Sequence, residues 1–197
     1  MLNIRTLTIK FWQQLRETDE AIAARVARAG CPHCDGRLHR GDYPRKPRGG
    51  AIAVVAEDAE RRISLCCDRE GCRRRATPPS VRFLGRKVYV GAAIVIASVA
   101  ALLTASISET RRETGIPTRT LRRWGGWWRV GFGGSLYLER MRGRFVPPLE
   151  VAALPWSLIE RLSATVDDET TLSRCLAFVA PVTTASVADG ARFAMAA

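Results

Sequence analysis

The first regular pattern of apolar and polar residues covers residues 8–29, TIKFWQQLRETDEAIAARVARA. Its large apolar residues recur at the three- and four-residue intervals of an amphipathic helix. They are Phe11, Trp12, Leu15, Ile22 and Val26. Gly30 follows, and a glycine at this place is typical of a helix end. The pattern predicts an N-terminal amphipathic helix within residues 1–30.

The pattern changes over residues 31–85, where glycine, proline and charged residues separate short β-favouring pieces. The pieces IAVV (52–55) and RISLC (62–66) predict hairpins rather than helices. TPPS (77–80) then interrupts regular structure. We therefore expect a small strand-containing unit that ends before the next apolar run.

The longest apolar run, VYVGAAIVIASVAALL (88–103), has 16 residues and no charge. A membrane-spanning helix needs about 20 apolar residues, so the run favours a buried helix, with a membrane helix as the alternative. It opens a predicted helical domain over residues 86–146. Short helices are expected at 149–163 and 168–180, within a segment spanning 147–180. The Ala-, Thr- and Ser-rich residues 181–197 are expected to form a flexible tail.

These elements predict an α+β fold that is mostly α, a small strand unit followed by a helical domain. A hydrophobic content of 47% is enough for a core and argues against a disordered chain. The net charge is +12, and residues 31–146 hold 23 basic against 10 acidic residues. Such an excess favours a polyanionic partner, either nucleic acid or an anionic membrane surface.

Five of the six cysteines fall between residues 31 and 72, and four of them form two close pairs. Cys31 and Cys34 belong to CPHC, and Cys67 and Cys72 follow after 32 intervening residues. Two close pairs separated by a hairpin-forming insert can surround Zn²⁺ with four thiolates, as in a zinc ribbon. Cys66 is the alternative third ligand.

Strand alternation distinguishes the two neighbouring cysteines. On an extended RISLCC segment, Cys67 shares a face with Leu65, whereas Cys66 shares the other face with Ser64. This favours Cys67. The first 20 residues contain no uninterrupted apolar stretch of a secretory signal. We therefore expect a cytoplasmic protein, where disulfides are uncommon and a metal site is the better interpretation of paired cysteines.

Basic residues follow the cysteines closely. Arg73, Arg74 and Arg75 come directly after Cys72. A guanidinium group is a planar fork of donors that suits phosphate, so we expect these arginines to contact a nucleic-acid backbone. Further basic residues of the same region are Arg45, Lys46, Arg48, Arg82, Arg86 and Lys87.

A second basic element lies in SISETRRETGIPTRTLRRW, residues 106–124. Ser106-x-x-Glu109 resembles a capping box, and Gly115 precedes a second helix start, which together predict a helix-turn-helix. Leu121 and Trp124 are expected to face the core. The residues expected to face DNA are Arg119, Thr120, Arg122 and Arg123.

A zinc ribbon, an apolar helix and TGIPTRTLRRW together resemble the N-terminal DNA-binding region of bacterial insertion-sequence transposases, over residues 31–129. The residues that match the transposase signature are Gly115, Ile116, Thr118, Thr120, Leu121 and Trp124. The resemblance implies binding to double-stranded DNA. Such transposases continue into a catalytic domain with three carboxylates, but only 68 residues follow Arg129.

We therefore expect a non-catalytic, zinc-dependent DNA-binding accessory or regulator related to mobile-element transposases, and no enzyme. The sequence offers neither a nucleophile–base pair nor a Gly-rich phosphate loop. A protein-interaction adaptor that binds a separate transposase, integrase or other recombinase subunit is the alternative function. RNA is the alternative polyanion. No membrane partner is expected.

Overall fold

The computed structural model describes residues 7–44, 61–84, 92–163 and 167–184. The predicted strand piece 52–55 and the basic residues Arg45, Lys46, Arg48, Arg86 and Lys87 lie outside these ranges. The chain has a mixed α and β fold that is mostly helical, with small antiparallel sheets near its N-terminal end. This is the fold class that the residue pattern predicts.

Helix α1 spans Ile9–Ala29, as the residue pattern predicts. Its N-cap is Thr8, whose Oγ1 accepts a hydrogen bond from the Phe11 N–H at 3.2 Å. Gly30 ends the helix with a φ of +80°, a left-handed conformation that favours glycine. The buried face consists of Phe11, Leu15, Asp19, Ile22, Ala23 and Val26.

Five short strands follow within the described ranges. They are β1 (Leu38–Arg40), β2 (Tyr43–Pro44), β3 (Arg61–Arg62), β4 (Leu65–Cys67) and β5 (Arg75–Ala76). Strand β4 lies between β1 and β5 in an antiparallel three-stranded sheet, and β2 pairs with β3. Leu65 and Cys67 are buried, whereas Cys66 between them is half-buried on the other face. One face of β4 therefore belongs to a small core.

That small core is distinct from the main one. It contains Val26, Cys31, Leu38, Leu65, Cys67 and Ala76, and we call it the cysteine core. Val26 belongs to α1, so the sheet rests on the C-terminal half of that helix. The six buried residues that the structure describes here are few for independent stability, and small domains of this kind depend on additional cross-links or metals.

The remaining elements are mostly helices. They are α2 (Ala92–Ala101), α3 (Ile107–Thr114), α4 (Thr118–Gly126), a π-helical stretch (Trp127–Phe132), α5 (Leu136–Met141), α6 (Trp156–Leu162) and α7 (Asp168–Val179). Short 3-10 turns lie at Arg142–Arg144, Val151–Ala153 and Ala180–Thr183. Helix α2 packs against α3, α4 and α7.

The main core contains residues from segments that the sequence pattern assigns to separate units. Phe11 and Leu15 of α1 lie in the same apolar cluster as Ile96 of α2, Leu121 of α4 and Leu172 of α7. The expected units 1–30, 86–146 and 147–180 therefore share one core. In the part of the chain that the structure describes, no helix has both the length and the apolar character to cross a membrane.

The first residues of the expected flexible tail, 181–184, have long-range contacts. Pro181 and Thr183 are buried in the turn Ala180–Thr183. Thr183 Oγ1 accepts a hydrogen bond from the Ser80 N–H at 2.9 Å, and Thr184 Oγ1 donates to the Thr77 carbonyl at 2.7 Å. These long-range bonds fix residues 181–184. Residues 185–197 lie outside the described ranges.

Candidate metal centre and basic helix pair

The four cysteines of the two close pairs meet at one point. Their Sγ atoms all lie within 4.8 Å of one another, with Cys31 3.8 Å from Cys72 and Cys34 3.5 Å from Cys67. Every cysteine of the chain lies in the described ranges, and none forms a disulfide. Four sulfurs around a tetrahedral Zn²⁺ with bonds of about 2.3 Å are about 3.8 Å apart. The sulfur positions therefore fit a metal ion with four thiolate ligands.

Two tight turns place these sulfurs. In the first turn the N–H groups of Cys34 and Asp35 both donate to the Cys31 carbonyl, at 3.3 and 2.9 Å. In the second turn the N–H groups of Cys72 and Arg73 both donate to the Arg69 carbonyl, at 3.1 and 3.3 Å. Each turn bends the chain sharply, so that both cysteine pairs point to the same site.

The second turn depends on left-handed backbone. Gly71 has a φ of +83°, and Arg73 has a φ of +46°. A left-handed conformation is strained for a residue with a side chain. The positive φ of Gly71 is therefore a conformational reason for a glycine before Cys72.

Gly36 is packed directly against the sulfurs. A Cβ atom at this position would lie 2.9 Å from Cys67 Sγ and 3.3 Å from Cys34 Sγ. The Gly36 carbonyl also accepts a hydrogen bond from the Cys31 N–H at 2.8 Å. The absence of a side chain at Gly36 therefore lets the backbone approach the centre.

Backbone amides and burial set the protonation of the thiols. A hydrogen bond from the Gly36 N–H lowers the pKa of Cys34 to about 7. Burial raises the pKa of Cys67 to about 12. At Cys72 the Arg74 N–H lowers the pKa, but neighbouring thiols and burial outweigh it, and the net direction is upward. A divalent metal would displace these protons, since only thiolates serve as ligands.

Cys66 lies outside the sulfur cluster. Its Sγ donates to the Arg73 carbonyl at 3.5 Å, away from the centre. Of the two candidates for the third sulfur, the structure thus brings Cys67 to the cluster. The two histidines of the region also have other contacts: His39 Nε2 lies 3.0 Å from Asp68 Oδ2, and His33 accepts a hydrogen bond from Arg74.

Arg73, Arg74 and Arg75 are all exposed. Arg74 donates to His33 Nδ1 at 3.3 Å. Arg75 donates to the Gly41 carbonyl at 2.9 Å, and its guanidinium lies 5.7 Å from the centre of the Tyr43 ring. Arg82 forms an ion pair with Asp19 at 2.8 Å. Arg75 and Arg82 therefore have partners within the protein that the sequence does not predict.

The segment expected to form a helix-turn-helix consists of α3, a left-handed Gly115 and α4. Ser106 Oγ accepts a hydrogen bond from the Glu109 N–H at 3.2 Å, which is one half of the expected capping box. The Glu109 carboxylate lies 3.7 Å from Arg112. Thr110 is fully buried and donates to the Ser106 carbonyl, so its hydroxyl is satisfied inside the helix.

Helix α4 has one buried face and one basic face. Leu121 and Trp124 are buried, as expected. The predicted DNA-facing side chains lie on the opposite side: Arg119, Arg122 and Arg123 are exposed, and Thr120 is half-buried. Ile116, in the turn, is also buried and anchors the helix pair in the main core.

Asp19 and Arg62 are buried charged residues that the sequence interpretation misses. Asp19 is 2% exposed and Arg62 is 3% exposed. The apolar period of α1 does indicate that Asp19 is buried, because this residue lies four residues after Leu15 and three before Ile22, on the apolar face. A carboxylate at such a position needs a buried partner. No comparable local signal marks Arg62.

The chain was compared with protein-family models, curated proteins and solved structures, and none of them matches it. No residue role is therefore taken from a relative. The candidate site is defined by the four sulfurs, the exposed face of α4 and the contacts around them.

Proposed function

We propose that this protein is a zinc-dependent DNA-binding protein without catalytic activity. In this proposal the sheet with its four cysteines is a zinc ribbon, and α3 and α4 form a helix-turn-helix. The resemblance to the DNA-binding region of insertion-sequence transposases suggests an accessory or regulator of a mobile element. Double-stranded DNA is the proposed partner.

The zinc ion would be held by Cys31, Cys34, Cys67 and Cys72. Four protein ligands leave no open coordination position, so the metal would support the fold rather than activate water. The cysteine core is small, and structural zinc contributes about 10–16 kcal/mol to the folding of zinc-finger peptides. A metal of this kind explains how the few described buried residues of the cysteine core can hold the strands β1, β4 and β5.

The observation that carries the DNA proposal is the exposed basic face of α4. Helix α4 follows a tight turn, and its opposite face, with Leu121 and Trp124, is buried. A second helix presented in this way can enter the major groove, where an arginine can bind guanine through two hydrogen bonds. Arg73 and Arg74, which directly precede β5, would contact phosphates, which provide affinity without sequence information.

A salt titration of binding to duplex DNA tests this proposal, with the zinc-loaded full chain and its variants. Arg122→Ala should reduce affinity more on a duplex selected from a random pool than on random duplex, because a base contact is lost. Arg73→Ala should reduce affinity on both duplexes alike and lower the slope of log K against log salt by about one unit, because a phosphate contact is lost. Arg40→Ala is the matched control. Its guanidinium is also exposed but is already neutralised by Glu20 at 2.6 Å and Asp42 at 2.7 Å.

The control variant should bind DNA with nearly the wild-type slope. If Arg122→Ala and Arg40→Ala reduce binding equally, α4 is only one part of a general basic surface. If the wild-type chain binds no duplex at low salt, the DNA proposal is wrong and the adaptor function takes its place.

A further inference from the structure

Helix α1 connects two parts of the molecule. Phe11, Leu15 and Ile22 belong to the main core, whereas Val26 near its C-terminal end belongs to the cysteine core. The chain leaves the sheet after β5 and returns to the main core through residues 78–83. We call Asp19, Arg62 and residues 78–83 together the junction.

Asp19 fixes the middle of the junction. Its carboxylate accepts hydrogen bonds from Ser80 Oγ at 2.6 Å, from the Val81 N–H at 2.7 Å and from Arg82 Nε at 2.8 Å. The side chain of Asp19 is 1% exposed, so these bonds are made away from water. Hydrogen bonds to a buried carboxylate are strong and leave the segment little freedom.

Arg62 reaches the same segment from β3, which pairs with β2 and lies shortly before β4 in the chain. It is 3% exposed, and its Nη2 donates to the Pro78 carbonyl at 2.7 Å. Its guanidinium lies 5.6 Å from the centre of the Phe83 ring, and that of Arg82 lies 5.0 Å from it. A buried arginine thus ties a strand of the cysteine-bearing part to the segment that enters the main core.

The junction is continuous with the core beneath α4. Val81 and Leu84 are buried in the same cluster as Ile116 and Leu121, the residues that anchor the turn and α4. A shift in the position of the junction can therefore be transmitted to α4 through these packed side chains. Coupling of this kind needs an element with two states. With zinc bound to the four cysteines, the sheet of β1, β4 and β5 would be such an element, since small metal-bound domains unfold without their metal.

We propose that Arg62 is a positioning residue that transmits the metal state of the four cysteines to α4, an inference that rests on the zinc site of the proposed function. With zinc bound, β3 is folded and Arg62 holds residues 78–83 against the main core. Without zinc, β3 is released, Arg62 leaves Pro78 and Phe83, and the core under α4 loosens. DNA binding would then respond to metal supply through the fold rather than through a metal–DNA contact.

Hydrogen–deuterium exchange tests this coupling without DNA. The full chain is compared with Zn²⁺ and after its removal by a chelator, and exchange is followed at the Val81 amide and along α4. In the wild type, chelation should accelerate exchange in the sheet, and also at Val81 and in α4 by about fivefold or more, the lower end of site-to-site coupling. In Arg62→Gln, chelation should accelerate exchange in the sheet alone.

Two further variants separate coupling from stability. Arg62→Lys keeps a cation and a donor for Pro78 and should restore the response of α4. Arg40→Gln removes an exposed arginine that joins β1 to α1 through Glu20, and it should leave the response intact. If Arg62→Gln does not fold, Phe83→Leu removes the ring beside the guanidinium and serves for the same comparison.

The outcomes are distinct. A zinc-loaded wild type in which α4 does not respond to chelation overturns the coupling and leaves the zinc site standing. An equal response in the wild type and in Arg62→Gln overturns the role of Arg62. A chain that takes up no zinc contradicts the metal centre and this inference with it. A normal exchange response in a protein that binds no DNA supports the coupling while the DNA function fails.

Discussion

Gly36→Ala is a sharp test of the sulfur arrangement, because it adds one methyl group beside the centre. The new Cβ would lie 2.9 Å from Cys67 Sγ, 3.3 Å from Cys34 Sγ and 3.2 Å from Arg69 Cβ. Real Cβ contacts are essentially never shorter than 3.0 Å, and ordinary contact begins near 3.4 Å. The backbone at Gly36 is not left-handed, so the effect of the change is spatial.

The size of the loss in zinc affinity follows from how far Cys67 Sγ and the new methyl group must separate. Restoring ordinary contact requires Cys67 Sγ and the new methyl group to separate by about 0.5 Å, whereas metal–sulfur distances vary by only about 0.2 Å. The sulfur therefore moves off its ligand position, or the backbone shifts. Overpacking of this kind destabilises by about 1–3 kcal/mol. Expressed as zinc affinity, this is a loss of roughly 5- to 150-fold.

Competition with a chromophoric zinc chelator measures this loss on the full chain. Gly41→Ala is the matched control, since its Cβ would meet only Cys66 Cβ at 3.8 Å, an ordinary contact. The control should bind zinc as the wild type does. Equal zinc affinities for Gly36→Ala and Gly41→Ala would refute the packing of Gly36 against the sulfurs.

Three further predictions concern single positions. Cys67→Ser should lose the bound zinc of about one ion per chain in a metal assay, while Cys66→Ser keeps it; the reverse result would mean that the strand register is wrong. Asp19→Asn should lower the free energy of unfolding of the zinc-loaded chain by about 3–5 kcal/mol, because Arg82 loses its buried partner. A change below about 1 kcal/mol in denaturant unfolding would contradict that burial. Asp167 caps α7, and the hydrogen bond from the Thr170 N–H lowers its pKa. Its contribution to stability is therefore present above the usual carboxyl pKa and lost as the pH falls through the lowered pKa, so Asp167→Ala should lower the melting temperature at pH 7, with an effect that shrinks as the pH falls below the usual carboxyl range.

The sequence by itself determines the features that depend on near neighbours. The apolar period fixes the extent of α1, and the spacing of the two cysteine pairs identifies the four sulfurs that meet. Strand alternation distinguishes Cys67 from Cys66, because successive side chains on a strand point to opposite faces. Gly115 and the Ser106 cap mark the turn and the start of α3. Each of these signals acts over a few residues, where backbone geometry leaves few choices.

Only the tertiary structure decided which charged residues are free to meet a ligand. Arg75 and Arg82 look like further phosphate contacts in the sequence, yet one binds the Gly41 carbonyl and the other binds Asp19. The same holds for Thr183, whose bond to the Ser80 N–H orders the start of the expected tail. These partners are 34, 63 and 103 residues apart in the chain. Periodicity describes which face of an element is buried, but the packing of distant elements selects the partner of each buried polar group.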